Sequence, residues 1–166
     1  MASAQSDQHR LTREEALRRR LVGVAAVTAL LATVHFADHV VRGRLVLDRG
    51  LDPAWNHSGW PFQSRFSPFT VSLVVVYGLL LGGIVLTLRE RVWAAYWLVT
   101  AVLLGGIVTQ VHFGPGPNTE SPSVIIDTYG NRAAGISAVV VVVAIAAALV
   151  VMAAQAIWVR RVSGRW

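Results

Sequence analysis

Four long apolar runs set the pattern of the chain. Residues 69–88, 92–113 and 133–159 contain no Asp, Glu, Lys or Arg, and residues 21–41 contain only Asp38. A helix that crosses a bilayer needs about 20 predominantly apolar residues, so each run is long enough to span. The first run follows arginines, as a secretory signal would. It is too long for one and no small-residue cleavage pattern closes it, so it is read as a retained helix.

The polar residues between the runs mark where helices start and stop. Thr12-Arg13-Glu14-Glu15 fits a capping box, with Thr12 as N-cap and Glu15 reaching back. Residues 1–11 read as a disordered cytoplasmic tail. Gly43, directly after Arg42, suits a left-handed helix end. Ser67-Pro68 is an N-cap followed by proline at the first helical position. The short link Arg89-Glu90-Arg91 makes the second and third helices antiparallel neighbours. Gly114-Pro115-Gly116-Pro117 ends the third helix, Asn131 caps the fourth, and Arg160-Arg161 closes it. The expected fold is all-α: an integral membrane four-helix bundle in a single domain, residues 12–166, with spans at about residues 21–42, 68–88, 92–113 and 132–159.

Charge gives the orientation. All fifteen basic residues are arginine. Ten of them lie in the N-terminal segment, the 89–91 hairpin and the C-terminus, and five (Arg42, Arg44, Arg49, Arg65 and Arg132) lie on the other side. The positive-inside rule then places both termini in the cytoplasm. Trp93, Trp97 and Trp158 are expected at the inner interface, and Trp55 and Trp60 at the outer one.

Composition narrows the class. The chain is 54% hydrophobic and 14% charged, unlike an ordinary soluble domain. Its net charge of +6 does not point to nucleic acid, because the arginines sit at helix ends. No cysteine is present, which excludes disulfides and thiolate sites. Arginine without lysine, together with abundant Ala, Gly and Val, is the usage of a GC-rich bacterial genome, and the expected location is a bacterial plasma membrane. Leu81-Gly82-Gly83-Ile84-Val85 recurs as Leu104-Gly105-Gly106-Ile107-Val108. These glycines, with Gly78, are expected to let helices approach closely.

The candidate chemistry interrupts the first run. His35, Asp38, His39 and Arg42 fall within one stripe of a helix turning about 100° per residue. Facing lipid, the aspartate alone would cost about 2.5–3.5 kcal/mol at the span centre. The stripe is therefore expected to face the bundle interior or an aqueous vestibule. His35 lies about 6 Å beyond the midplane of its span, His39 about 12 Å, and His112 of the third span about 15 Å toward the same side.

Two accounts of these residues compete. In the structural one, Asp38 and Arg42 form an i, i+4 ion pair, and His35 bonds across to Thr109 or Gln110. In the other, His35, His39 and His112 bind one transition ion, with Asp38, Glu120 or His57 as fourth ligand or outer support. A nitrogen and oxygen donor set suits Zn, Cu(II), Fe or Ni rather than soft Cu(I). Haem suits it less, because His35 and His39 project from the same face of one helix.

The expectation is a small polytopic plasma-membrane protein with a His/Asp-lined polar pocket near the extracytoplasmic face. It would be an accessory or small-ligand-binding protein, contacting lipid and a membrane-protein partner or a second copy of itself, with no nucleic acid. The alternatives are a metal-binding protein or metal-dependent enzyme using His35, His39, His112 and Asp38, and a small proton-coupled transporter. No enzyme motif is present.

Overall fold

A computed structural model of the chain describes residues 2–50, 68–89, 94–115 and 120–163. Those residues form five helices: α1 (Ala2–Asp48), α2 (Pro68–Leu88), α3 (Ala94–Phe113), α4 (Pro122–Tyr129) and α5 (Arg132–Ser163). Four of them, all but α4, contain stretches long and apolar enough to cross a membrane. Their outward surfaces are apolar as well: Leu30 is 66% exposed, Val74 70% and Val150 69%. Isolated exposed apolar residues are ordinary on a soluble protein, but whole helix faces of them are not.

Heptad-like spacing builds the core. On α5 the buried positions are Ala138, Val142, Ile145, Leu149, Met152, Ala156 and Val159, separated alternately by four and three residues. On α1 the buried series runs Leu17, Leu21, Ala25, Thr28, Ala32, His35, His39 and Arg42 at the same three-and-four spacing. Such spacing keeps one face of each helix against its neighbours. Alanines on the α1 face let that helix approach closely. One continuous stripe thus begins as apolar core and ends in imidazoles and a guanidinium.

α1 packs antiparallel to α5 and to α2. Arg20, in the N-terminal half of α1, lies 5.8 Å over the Trp158 ring near the end of α5. Arg49, just past the end of α1, donates to the Thr128 and Tyr129 carbonyls at 2.8 and 3.1 Å, four and three residues before α5 begins. Along α1 and α2, Thr33 meets Tyr77 while Phe36 and His39 meet Phe69. The predicted α2–α3 hairpin is present: Trp97 Nε1 donates to Thr87 Oγ1 at 2.9 Å, and Tyr96 donates to the Leu79 carbonyl at 2.7 Å.

Several boundaries and roles differ from expectation. Gly43 does not end α1. The helix continues to Asp48, supported by an Arg44–Asp48 ion pair at 3.0 Å, and the left-handed residue is Gly50. α1 also takes in residues 2–11, where polar composition predicts a tail, so Thr12 lies inside the helix and does not begin it. Trp97 is not an interfacial belt residue: it is fully buried in the core. Ser67, Trp55, His57, Trp60 and Trp93 lie outside the described residues. Asn131 caps α5 as expected, accepting from the Ala133 and Ala134 amides.

The repeated glycines do not share one role. A Cβ on Gly78, Gly82, Gly105 or Gly106 would meet nothing within 4 Å, whereas one on Gly83 would lie 2.5 Å from the Tyr96 ring and 2.7 Å from Trp97. Only Gly83 of this set admits a close neighbour. Gly83→Val is expected to lower stability by about 1–3 kcal/mol through overpacking, while Gly82→Ala leaves it unchanged or raises it. Thermal unfolding of the two variants in one detergent checks this, and equal midpoints would contradict the assignment.

Candidate metal centre

α1 brings His35, His39 and Arg42 to the bundle interior, and α3 brings His112. All are buried, at 8%, 5%, 1% and 2% exposure. His39 Nε2 lies 3.0 Å from His35 Nε2, and His112 Nε2 lies 3.2 Å from the same atom. The ligand nitrogens of the three rings all fall within 4.8 Å of one another. Thr109 and Gln110 are exposed, so the Nε2 of His35 meets histidines in place of the expected interhelical amide or hydroxyl.

This arrangement is awkward for hydrogen bonding and favourable for a cation. A ring nitrogen either carries a proton or offers a lone pair. Nε2 of His35 therefore cannot donate to one neighbour while accepting from the other. The state of His112 is set from behind: its Nδ1 lies 3.2 Å from the Glu120 carbonyl oxygen, which only accepts. The proton belongs on Nδ1, and Nε2 is left with a lone pair aimed at the other rings. Fixing the tautomer through the remote nitrogen is how metal-ligating histidines are oriented.

The spacing also fits. Three imidazoles around a tetrahedral ion, at the Zn–N distance of about 2.0–2.1 Å, hold their nitrogens about 3.3–3.4 Å apart. Two of the three edges, 3.0 and 3.2 Å, are within a few tenths of that, and the remaining pair of ligand nitrogens lies within 4.8 Å. A porphyrin does not fit, because His35 Nε2 stands between the other two rings where the macrocycle would pass.

Asp38 is not among the converging donors. One of its oxygens accepts from Arg42 Nε at 2.7 Å and the other from the Tyr129 hydroxyl. Arg42 in turn donates from Nη2 to Glu120 Oε2 at 2.9 Å, and that oxygen lies 3.5 Å from His39 Nε2. Asp38 is thus linked to His39 through Arg42 and then Glu120. Outside the apolar helices, burial and the Asp38 hydrogen bond together push the Tyr129 phenol up from its ordinary range, so it stays a donor.

Glu120 and α4 hold the site from the side of the α3–α5 connection. The Glu120 amide donates to the Val111 carbonyl at 2.9 Å, its own carbonyl faces His112, and its carboxylate faces Arg42. One residue so fixed through amide, carbonyl and carboxylate keeps His112 and Arg42 in register. α4 then delivers Tyr129. Its Ser121 side chain caps the start, with Pro122 in the first turn, and Gly130 at φ 61° ends it. A Cβ on Gly135 would lie 2.5 Å from Ile126 Cα, so α4 folds directly against α5 there. Tyr129 is the member of this hydrogen-bonded network that apolar periodicity does not reveal. Its signals are Ser121-Pro122 and Gly130, a start and a stop eight residues apart.

No protein-family model, curated protein or solved structure matches the chain.

Proposed function

We propose that this chain is a small plasma-membrane protein that binds one transition-metal ion through His35, His39 and His112. The observation that carries the reading is the convergence of three buried Nε2 atoms from two helices, with the His112 tautomer set by a backbone carbonyl. The surrounding charge supports it. Asp38 and Glu120 flank the single guanidinium of Arg42, a formal balance of one positive against two negative charges, which favours an added cation nearby. Three imidazoles with a further position open is the pattern of reactive zinc sites, whereas purely structural sites are closed by four protein ligands. Glu120, whose Oε2 lies 3.5 Å from His39 Nε2, would supply a carboxylate beside a bound ion. Zn, Cu(II) and Fe suit the donors.

Purified protein, reconstituted with each ion in turn and washed, should retain about one ion per chain. Retention should fall as pH drops below about 6.5, because protonated imidazole cannot ligate. Protein that stays metal-free and co-purifies with a stoichiometric membrane partner overturns the reading in favour of an accessory subunit.

The same proposal places both termini in the cytoplasm and the histidines near the extracytoplasmic face, supported by the ten-to-five division of arginines. Reporter fusions after residue 50 and residue 166 should fall on opposite sides of the membrane. Two reporters on the same side would defeat the four-span topology.

A further inference from the structure

A cavity of about 90 Å³ lies against the triad, and the three histidines form part of its wall. Arg42 and Glu120 do not line it, so it sits on the other side of the imidazoles from the charged network. The rest of the wall comes from four helices and is almost wholly apolar: Ala32 of α1, Leu80 of α2, Leu104 and Val108 of α3, and Leu149 of α5 are representative. Two hydroxyls, Thr28 and Ser72, complete the polar inventory, and Thr28 turns back to donate to the Val24 carbonyl at 2.8 Å.

Size and lining restrict what can occupy this space. A buried water needs two to four polar partners, and an apolar cavity of about 150 Å³ stays dry and accepts benzene. A cavity smaller than that, with the Nε2 atoms of its three imidazoles turned toward one another, is too apolar to hold a well-ordered water cluster and too small for an aromatic ring. An ion or a strongly polar molecule would lose its hydration without compensation.

We propose that the cavity is the binding place of a small neutral apolar molecule of two or three heavy atoms, in the size class of dioxygen or carbon dioxide, held beside the metal on the side away from Glu120. This rests on the metal-binding reading for what happens to the molecule, but occupancy of the cavity does not depend on it. The arrangement separates two routes: charge and protons on the Glu120–Arg42–Asp38–Tyr129 side, the apolar molecule on the hydrocarbon side.

Xenon is a suitable probe, since it enters dry apolar cavities. In the full chain, in detergent, xenon should shift the methyl resonances of Val108 and Leu149 in a saturable way. Ala32→Leu and Val108→Phe fill the space and should weaken that response at least tenfold while metal content stays at the wild-type level. Leu149→Ala enlarges the space and should strengthen it, which keeps the test decisive where a filling variant does not fold. Metal-loaded protein whose methyls ignore xenon overturns the cavity proposal and leaves metal binding intact. Xenon binding in protein that takes up no metal defeats the metal reading alone. A lipid chain seated in the cavity, seen as lipid-to-Leu149 cross-relaxation with no xenon effect, also overturns the proposal.

Discussion

His35→Ala is expected to abolish stable metal retention. His35 Nε2 is the common vertex of the two short contacts in the triad, so its loss leaves His39 and His112 without a third imidazole. Removing a group that merely orients a ligand weakens metal affinity about 10–100-fold. Deleting a ligand should therefore weaken it by more than about 100-fold. Asp38→Asn is the graded comparison: it disturbs the support of Arg42 but no ligand, and belongs in the lower range. Competition with a chelator of known affinity reads both. Equal losses in the two variants would mean that the triad is not the binding site.

Arg42→Met is expected to destabilise the fold more than any other single change at the site. Arg42 is 1% exposed and bonded to both Asp38 and Glu120. Breaking a buried ion pair by removing one partner costs about 3–5 kcal/mol, because the remaining charges are left uncompensated. Removing both sides of an ion pair costs less than removing one, so Arg42→Met combined with Glu120→Gln should recover part of the loss. Thermal unfolding in detergent, followed by helical circular dichroism, gives both values. A single variant that melts with the wild type, or a double variant less stable than the single, would refute the compensation scheme.

Much of this was legible in the chain, for physical reasons. Bilayer length and the exclusion of charge make the four long helices visible as runs. Helical periodicity places His35, His39 and Arg42 on one buried face, and depth along the span brings His112 level with them. Asp38 shows the limit. At i+3 from His35 it falls at the edge of the stripe, where periodicity alone cannot separate a ligand from a support. The difference is decided by Tyr129, 91 residues away. Glu120 was one of three carboxylate or imidazole candidates of equal standing by composition. Its place depends on backbone hydrogen bonds to Val111 and His112, which spacing does not encode. The glycine repeat misleads for a related reason: identical local sequence faces a neighbouring ring at Gly83 and open space at Gly105 and Gly106.

The 78-residue separation between Arg42 and Glu120 has a consequence for biosynthesis. α1 is made long before Glu120 exists, so Arg42 and the two α1 histidines are synthesised ahead of Glu120, His112 and Tyr129. Asp38, one helical turn away, is the only acid within reach inside that helix, and the i, i+4 pair lowers the cost of carrying an arginine that early. The third imidazole arrives later with α3, the second acid just after it, and the Tyr129 hydroxyl with α4. A nascent or truncated chain ending before residue 112 can offer an ion no more than two of the three imidazoles of this triad. On the metal-binding reading proposed above, ion capture would therefore mark a finished molecule, and metal supplied during synthesis would not lock an incomplete one.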